Sequence, residues 1–371
     1  MEYGMKSAFV AVLLSGLFVL PAQAQNRPHN VIIFVADGLR YGSVESGNMP
    51  NMARLKSQGV DFTNSHALFP TVTTVNASAI ATGHGIGDTG DFGNTIYTGQ
   101  PMESLKGSML GFLENDRLLA GMNQKFGGNY LGETTLIAAA RAHGWQTAII
   151  GKEGPARIQD STATSDETLI VDDSTGSAAG VALPQWFETG LKNAGLAPPP
   201  PSPSVPDTAQ EEWMAKSATE IVLPHFKDAA KPFIHLFWSR DPDFSQHNGR
   251  DSIGSPTPGI NGPTGLAGTH VADTVLGALL DRLKALGLDQ STDVFVTADH
   301  GFVTMTHQDG GRELPNGFLV HDLAAALALP KVDLPDHPQL VVAPNGNSDL
   351  IYLPGPGAAA LAARVASFLM A

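Results

Sequence analysis

Short apolar runs rich in β-branched residues alternate along the chain with segments of helical periodicity. The short runs are typical of buried strands, and the longer segments are typical of amphipathic helices. Parallel strands need long crossover connections, usually helices, so this alternation predicts a mainly parallel central sheet with helices on both faces. The expected fold is α/β, with three layers in the order α/β/α. The strand-like runs cover residues 30–37, 146–152, 233–238 and 292–301, and the helical segments cover residues 49–59, 135–145 and 269–287.

Two segments have the composition of loops. Residues 197–207 are rich in proline and predict a stiff surface loop, because the strand and helix alternation continues beyond them. Residues 248–268 are rich in glycine, proline and serine. They directly follow a polar motif at the end of a strand, so we expect this second loop to form the rim of a site.

Polar residues follow three of the strand-like runs at the point where each run ends. Asp37 ends the first run, Asp243 and His247 follow the third, and Asp299 and His300 end the fourth. Because the carboxyl ends of parallel strands lie along one edge of a sheet, we expect these side chains to converge. A single Asp is often a helix cap and a single His is often a surface residue, but three such strand ends together favour a metal site.

The types of donor indicate which metal is expected. Carboxylate and imidazole donors without thiolate suit zinc, manganese or a similar ion. Catalytic zinc usually keeps three protein ligands and an open position, so five donors suit two ions that share a substrate. Asp243 and His247 are four residues apart, which places both on one face of a helical turn. The sequence therefore predicts two divalent cations, and zinc is the expected ion.

The stretch FPTVTTVNASAIATG, residues 69–83, offers several hydroxyl groups to such a site. One interpretation is a loop whose hydroxyls cap the helix that follows. The other is a nucleophile at the helix N-terminus, where a metal ion lowers the hydroxyl pKa and backbone N–H groups hold an anion. Asn76 lies three residues after Thr73, within reach to donate to a phosphoryl oxygen. The candidate hydroxyls are those of Thr71, Thr73, Thr74, Ser78 and Thr82.

The formal net charge is −14, and the chain contains no cysteine. The absence of cysteine from the sequence excludes disulfides, thiolate chemistry and cysteine-based zinc sites. The negative charge disfavours nucleic-acid duplexes and anionic membranes as partners. A small phosphate ester or nucleotide remains compatible as a substrate, because bound cations invert the local potential.

Residues 1–24 have the pattern of a secretory signal peptide. Lys6 precedes a mostly apolar stretch at residues 7–20, and the small-x-small sequence Ala-Gln-Ala follows at residues 22–24. A membrane anchor is the alternative, but the apolar stretch is short for a span of about 20 residues. We expect a mature chain from Gln25 in the periplasm or outside the cell, with no membrane association after cleavage.

Four motifs, VADG, FPTVTTVNASAIATGHGI, DPDFSQH and TADHG, occur in the order and approximate spacing of the alkaline phosphatase superfamily. Over residues 30–301 the chain most resembles the type I phosphodiesterase and nucleotide pyrophosphatase branch. The resemblance implies an alkaline-phosphatase-like catalytic domain at residues 25–371, which hydrolyses phosphodiester or nucleotide pyrophosphate bonds. It implies that Thr73 is the nucleophile and Asn76 the oxyanion donor. It assigns one metal to Asp37, Thr73, Asp299 and His300, and the other to Asp243 and His247.

Some positions depart from the family pattern. Val75 and Ala77 stand where the family commonly has Pro and His, which concerns substrate preference more than chemistry. Related phosphomonoesterases often carry a Lys-x-Arg pair, whereas Lys152 and Arg157 are five residues apart, which favours diesters. Arylsulfatases of the superfamily use a modified Cys or Ser, and Thr73 argues against that activity. The alternatives are a phosphomonoesterase or phosphonate hydrolase on the same site, and a binding protein without catalysis.

The largest departure concerns the C-terminal region. The family supplies a further His to the second metal from far downstream, and only His307, His321 and His337 follow His300. None of the three has the usual His-Gly context. We therefore expect the chain to lack the last part of the domain, which would leave one metal site a ligand short.

Overall fold

The strand-like runs predicted from the sequence all form strands, and they lie in one sheet. The structure, a computed structural model, describes residues 29–164, 166–177, 180–200, 204–252, 259–304, 308–309, 312–313, 340–346 and 348–370. The strands are β1 (Asn30–Ala36), β2 (Thr95–Tyr97), β3 (Leu110–Phe112), β4 (Gln146–Gly151), β5 (Leu169–Asp172), β6 (Phe233–Ser239), β7 (Thr292–Thr297), β8 (Gln308–Asp309), β9 (Arg312–Glu313), β10 (Val341–Asn345) and β11 (Ser348–Tyr352).

The central sheet has five strands in the order β5-β4-β6-β1-β7, and every pairing within it is parallel. Val31 of β1 pairs with Ile234 of β6 on one side and with Asp293 of β7 on the other. The inner strands β1, β4 and β6 read as near-continuous apolar runs because helices cover a parallel sheet on both faces. The predicted parallel sheet is confirmed, and the short strand β5 adds to it.

Helices cover both faces of this sheet, which confirms the three-layer α/β/α fold. On one face, Phe34 and Phe237 share a core with α1, α7, α8, α9 and α11, and on the other, Ile149 and Trp238 share a core with α2, α4, α5 and α6. The helices are α1 (Pro50–Gln58), α2 (Thr73–Thr82), α3 (Ile86–Thr89), α4 (Asp116–Lys125), α5 (Leu136–Ala142), α6 (Pro155–Gln159), α7 (Gln185–Ala194), α8 (Thr208–Lys216), α9 (Leu223–Ala229), α10 (Asp243–Asn248), α11 (Pro263–Leu286) and α12 (Ala358–Leu369).

Helix α11 begins earlier than its sequence pattern predicts. The apolar periodicity starts at Thr269, but the helix starts at Pro263, inside the segment predicted to be a loop. Proline suits the first turn because its missing N–H group has no partner there in any case. A Cβ at Gly268 would lie 2.7 Å from the Ser245 Cβ. The glycines at the start of α11 therefore serve close packing, which a composition-based prediction reads as a loop.

Three antiparallel strand pairs lie outside the central sheet in the described residues: β8 with β9, and two that contact each other, β2 with β3 and β10 with β11. Asn345 of β10 joins the latter two, because its side chain accepts a hydrogen bond from Thr95 N at 2.8 Å and donates one to Thr95 O at 3.0 Å. The β2–β3 hairpin matters for the site, since the residues at its open end face the carboxyl ends of the central strands.

Several predicted features are only partly covered by the structure. Residues 197–200 and 204–207 of the proline-rich segment contain no helix or strand, and residues 201–203 lie outside the described residues. The predicted signal peptide at residues 1–24 also lies outside them. Within the described part of the chain, no helix combines the length and the apolar character needed to cross a bilayer.

Gly151 ends β4 in a place that has no room for a side chain. Its φ is +151°, and a Cβ there would lie 2.1 Å from the Trp238 carbonyl oxygen of β6. We expect Gly151→Ala to lower the free energy of unfolding by roughly 1–3 kcal/mol or more, because neighbouring backbone must move. Urea unfolding followed by circular dichroism measures this change.

Gly87→Ala is the matched control for this experiment. Gly87 lies in the short helix α3, its φ is not positive, and a Cβ added there would meet nothing within 4 Å. Its replacement should change stability by less than about 0.5 kcal/mol. Equal stability of the two variants would contradict the close approach of β4 and β6 at this point.

Candidate active site

The carboxyl ends of β1 and β7 bring together two carboxylates and an imidazole. Asp37 directly follows β1, and Asp299 and His300 follow β7. The His300 Nε2 atom lies 3.5 Å from Asp37 Oδ1 and 3.4 Å from Asp299 Oδ2. Among the residues that the structure describes, this is the one group of three or more such side chains whose ligand atoms all lie within 4.8 Å of one another. The predicted convergence of these strand ends is therefore present.

Thr73 is the first residue of α2 and is buried beside this group. Its Oγ1 atom lies 3.2 Å from His300 Nε2. The residue at the cap position is Val72, which makes no side-chain capping bond. The Thr73 hydroxyl therefore does not cap its helix but faces the carboxylate and imidazole group, at the end of the helix where backbone N–H groups favour an anion.

Two buried carboxylate oxygens in this group lack a hydrogen-bond partner, namely Asp37 Oδ1 and Asp299 Oδ2. Burial raises the pKa of Asp299 well above its usual range, and the nearby Asp37 carboxylate adds to this rise. Burial alone would lower the pKa of His300, but Asp299 and Asp37 outweigh it and raise this pKa to about 9. Unpartnered buried oxygens are costly, and a cation would satisfy both. Two carboxylates, an imidazole and a hydroxyl fit a divalent cation of the zinc or manganese type.

Asp243 and His247 form a second pair at the carboxyl end of β6. They lie one turn apart on α10, and His247 Nε2 is 3.3 Å from Asp243 Oδ1. The Asp243 backbone N–H donates to Asp37 O at 2.9 Å, so this pair is joined through the main chain to the group of Asp37, Asp299 and His300. Burial would raise the pKa of Asp243, but Lys152 and His247 lower it below its usual range.

The family resemblance implies one further His for the metal at Asp243 and His247. The candidates His307, His321 and His337 all lie outside the described residues. The pair at Asp243 and His247 thus supplies two ligand groups in the part of the chain that the structure covers.

The buried carboxylate of Glu211 accepts hydrogen bonds from the connection between β6 and α10. The Glu211 Oε1 atom accepts hydrogen bonds from Ser239 Oγ at 2.9 Å and from Arg240 N at 2.6 Å. Burial raises the pKa of Glu211 to about 8. Through these bonds Glu211 fixes the backbone that presents Asp243 and His247.

Lys152 lies between the two groups of candidate ligands. It directly follows β4, and its Nζ atom is 2.9 Å from Asp37 Oδ2, 3.6 Å from Asp243 Oδ2 and 3.2 Å from Glu114 Oε2. Burial would lower the pKa of Lys152, but these carboxylates raise it well above its usual range. The Trp238 indole N–H also donates to Asp37 Oδ2, at 3.0 Å. Asp37 thus binds the protein through Oδ2 and leaves Oδ1 towards His300.

Asn76, the predicted oxyanion donor, is engaged elsewhere. Its Oδ1 accepts a hydrogen bond from Leu68 N at 2.8 Å, and its Nδ2 donates to Val72 O at 3.0 Å and to Leu68 O at 3.4 Å. Both amide hydrogens therefore bind the loop that leads into α2. This placement does not support the predicted role, because the amide has no free hydrogen to offer a substrate.

A different amide, that of Asn94, lies next to the start of α2. Its Oδ1 accepts a hydrogen bond from Thr74 N at 2.8 Å, and its Nδ2 donates to Glu114 Oε1 at 3.2 Å. Burial raises the pKa of Glu114, and the Lys152 ammonium opposes that rise. The sequence reasoning missed Asn94 and Glu114, since both lie in short segments without any apolar period, and only the β2–β3 hairpin brings them together.

This arrangement defines a three-layer α/β/α fold with a candidate divalent-metal centre beside a threonine at a helix N-terminus. The model of the Type I phosphodiesterase / nucleotide pyrophosphatase family matches residues 31–342. The chain belongs to this family, and through it to the alkaline phosphatase superfamily. The resemblance predicted from the four sequence motifs is thereby confirmed. Proteins of this family are metal-dependent hydrolases of phosphoric esters.

Two more distant similarities agree with the family. The crystal structure of phosphonoacetate hydrolase from Sinorhizobium meliloti 1021 in complex with phosphonoformate superposes with a TM-score of 0.57 at 19% identity, covering 91% of this chain and 72% of that one. Arylsulfatase A from Bos taurus is 23% identical over 311 residues, which is 76% of this chain and 54% of the relative. The chain thus spans about half the length of this curated relative, and the structural similarity concerns the fold.

The two groups of candidate ligands generate a prediction about metal content. We expect Asp299→Asn or His300→Ala to lose the ion beside Thr73, and Asp243→Asn or His247→Ala to lose the other ion first. Each ion depends on the donors that lie around it. Mass-spectrometric metal analysis of zinc-loaded, dialysed protein measures the content. Asp289→Asn, at an exposed acid, is the control. Equal loss of both ions from all four variants would indicate one shared site.

Proposed function

We propose that this protein is a secreted or periplasmic hydrolase of phosphodiester or nucleotide pyrophosphate bonds that uses Thr73 as its nucleophile and two zinc ions. One observation carries the proposal: the Thr73 hydroxyl, at the first residue of α2, lies 3.2 Å from His300 Nε2. The same imidazole is in contact with both Asp37 and Asp299. A hydroxyl held against a candidate metal-binding group at a helix N-terminus is suited to attack a phosphoryl group.

The residues of the chain divide the reaction among them. When bound, the cations supply charge neutralisation and a lower pKa for hydroxyl groups nearby. Thr73 Oγ1 would lose its proton to solvent and attack phosphorus, and its new bond would form as the bond to the leaving oxygen breaks. The leaving oxygen would take a proton from solvent and depart as the alcohol. Of the backbone N–H groups at the start of α2, Thr74 N already donates to Asn94 Oδ1, so we assign the N–H group of Thr73 to a phosphoryl oxygen. Water hydrolyses the phosphothreonine, which releases the phosphorylated product and restores Thr73.

Lys152 and Asn94 complete the site from the other side. Lys152 places its positive charge between the Asp37 and Asp243 carboxylates, so it can hold a phosphoryl group between the two groups of candidate metal ligands. Asn94 is fixed by Thr74 N, directly beside the nucleophile, and takes the place predicted for Asn76 as the amide donor. Small phosphate esters suit this buried site better than a nucleic-acid duplex, which the net charge of −14 also disfavours.

Removing the nucleophile tests the proposal directly. We expect Thr73→Ala to lower the hydrolysis rate of bis(p-nitrophenyl) phosphate by at least roughly 10³-fold, since loss of a nucleophile is among the most severe changes in a hydrolase. Thr73→Ser keeps the hydroxyl and should keep part of the rate. Zinc content should stay near that of the parent in Thr73→Ser.

Thr82→Ala provides the matched control, because Thr82 lies at the other end of α2 and its hydroxyl donates to Ser78 O. It should retain the parent rate. Parallel assays with p-nitrophenyl phosphate, a phosphonate and an aryl sulfate separate the diesterase from its alternatives. Hydrolysis of the diester by Thr73→Ala at the parent rate would place the nucleophile elsewhere, with Thr71 or Thr74 next.

The proposed export rests on the sequence pattern of residues 1–24. Expression of the full chain in a bacterial host should give a periplasmic product whose N-terminus is Gln25. N-terminal sequencing after cell fractionation measures this. A membrane-bound product that still carries residues 1–24 would favour the anchor instead.

A further inference from the structure

The β2–β3 hairpin places Asn94 and Glu114 side by side at its open end. Thr95 pairs with Phe112, and beyond this pair Leu113 N donates to Asn94 O at 2.7 Å. The side chains that follow meet, with Asn94 Nδ2 donating to Glu114 Oε1 at 3.2 Å. The position of Glu114 is therefore set by strand pairing.

The turn after β4 packs directly onto Glu114 from the opposite side. A Cβ at Gly154 would lie 2.4 Å from the Glu114 Cα, so only glycine permits this approach. Lys152, two residues earlier, reaches Glu114 Oε2 at 3.2 Å, and the Glu114 side chain is only 12% exposed. The geometry of the Glu114–Lys152 ion pair is thus fixed by the backbone on each side: the β2–β3 hairpin positions Glu114, and the turn after β4 positions Lys152.

A continuous polar path runs from α2, the helix that begins with Thr73, to both groups of candidate metal ligands. It passes from Thr74 N to Asn94, from Asn94 to Glu114, and from Glu114 to Lys152. Lys152 then contacts Asp37 and Asp243. Glu114 is the single acid in this path that none of the predicted metal sites uses. Its charge is left to act on Lys152 and on the substrate.

The net charge of the site decides which phosphate esters it accepts. A phosphodiester carries one negative charge, and a phosphate monoester at alkaline pH carries two. Lys152 is the group best placed to stabilise the second negative charge of a phosphate monoester. Glu114 offsets the positive charge of Lys152 and so weakens this stabilisation. In a poorly hydrated site such charge–charge effects are large compared with those in water.

We propose that Glu114 is a specificity-determining residue that makes the site favour monoanionic phosphodiesters over dianionic phosphate monoesters. This inference rests on the proposed function, because it concerns substrates of the same site. Glu114 acts by its position between the amide of Asn94 and the ammonium of Lys152. It does not take part in bond making or breaking.

The test compares the parent with Glu114→Gln, both loaded with zinc. Values of kcat/KM are measured for p-nitrophenyl phosphate and for bis(p-nitrophenyl) phosphate. The ratio of monoester to diester should rise roughly tenfold in the variant, the order expected when one unit charge leaves a poorly hydrated site. An unchanged ratio, or an equal loss on both esters, would overturn the proposal.

Glu153→Gln is the matched control. Glu153 is a half-buried acid in the same turn after β4, and its Oε1 accepts a hydrogen bond from Asp116 N at 3.0 Å. The control removes one negative charge from a carboxylate that makes no ion pair with the Lys152 ammonium. The ratio of monoester to diester kcat/KM should therefore stay at the parent value. A rise as large as that of Glu114→Gln would show a general charge effect and overturn the specific role of Glu114.

A binding measurement keeps this test separate from that of the proposed function. By titration calorimetry at pH 8.5, Glu114→Gln should bind inorganic phosphate roughly tenfold more tightly than the parent does, with diethyl phosphate unchanged. If the parent hydrolyses neither ester, the proposed function fails and this comparison still decides the role of Glu114. If neither Glu114→Gln nor Glu114→Ala folds, as judged by thermal melting, Glu114 is structural and the proposal is wrong.

Discussion

The ammonium group of Lys152 is the interaction on which the candidate site depends. Asp37, Glu114 and Asp243 are largely buried, and burying three carboxylates in one place is unfavourable unless they are paired. Lys152 Nζ lies within 3.6 Å of all three. One cation, placed by the end of β4, therefore allows the ends of β1, β6 and the β2–β3 hairpin to meet. The orientation of each carboxylate follows from which oxygen it gives to Lys152.

The strands and the candidate metal ligands of the site follow from local sequence. Each apolar run fixes a strand, and parallel pairing then brings Asp37, Asp299 and His300 to one edge without further information. The same reasoning places Thr73 at a helix N-terminus, since the hydroxyl-rich loop and the helix adjoin in the chain. These features depend on periodicity and on short separations, which a single sequence records.

The features that escape prediction depend on contacts between distant segments. Asn94 and Glu114 meet only because a short hairpin pairs, and neither has a local pattern. Asn76 has the right spacing from Thr73, yet the loop before α2 uses its amide for the backbone. Gly268 belongs to a segment with the composition of a loop, but it lies in a helix, where the close approach of Ser245 leaves no room for a side chain. Tertiary packing outweighs local signals at all of these positions.

Four adjacent strands in the order β4-β6-β1-β7 are each followed, within four residues, by a residue of the candidate site. Lys152, Asp37 and Asp299 therefore keep their spacing through the hydrogen-bond ladders of the sheet, and Asp243 N is tied to Asp37 O by a hydrogen bond of 2.9 Å. The helical crossovers contribute little to this spacing. Insertions or deletions in the crossovers can then alter the walls of the cleft while the reactive centre keeps its register. A fold built in this way can acquire new substrates by changing the length of its connections, with the chemistry left intact.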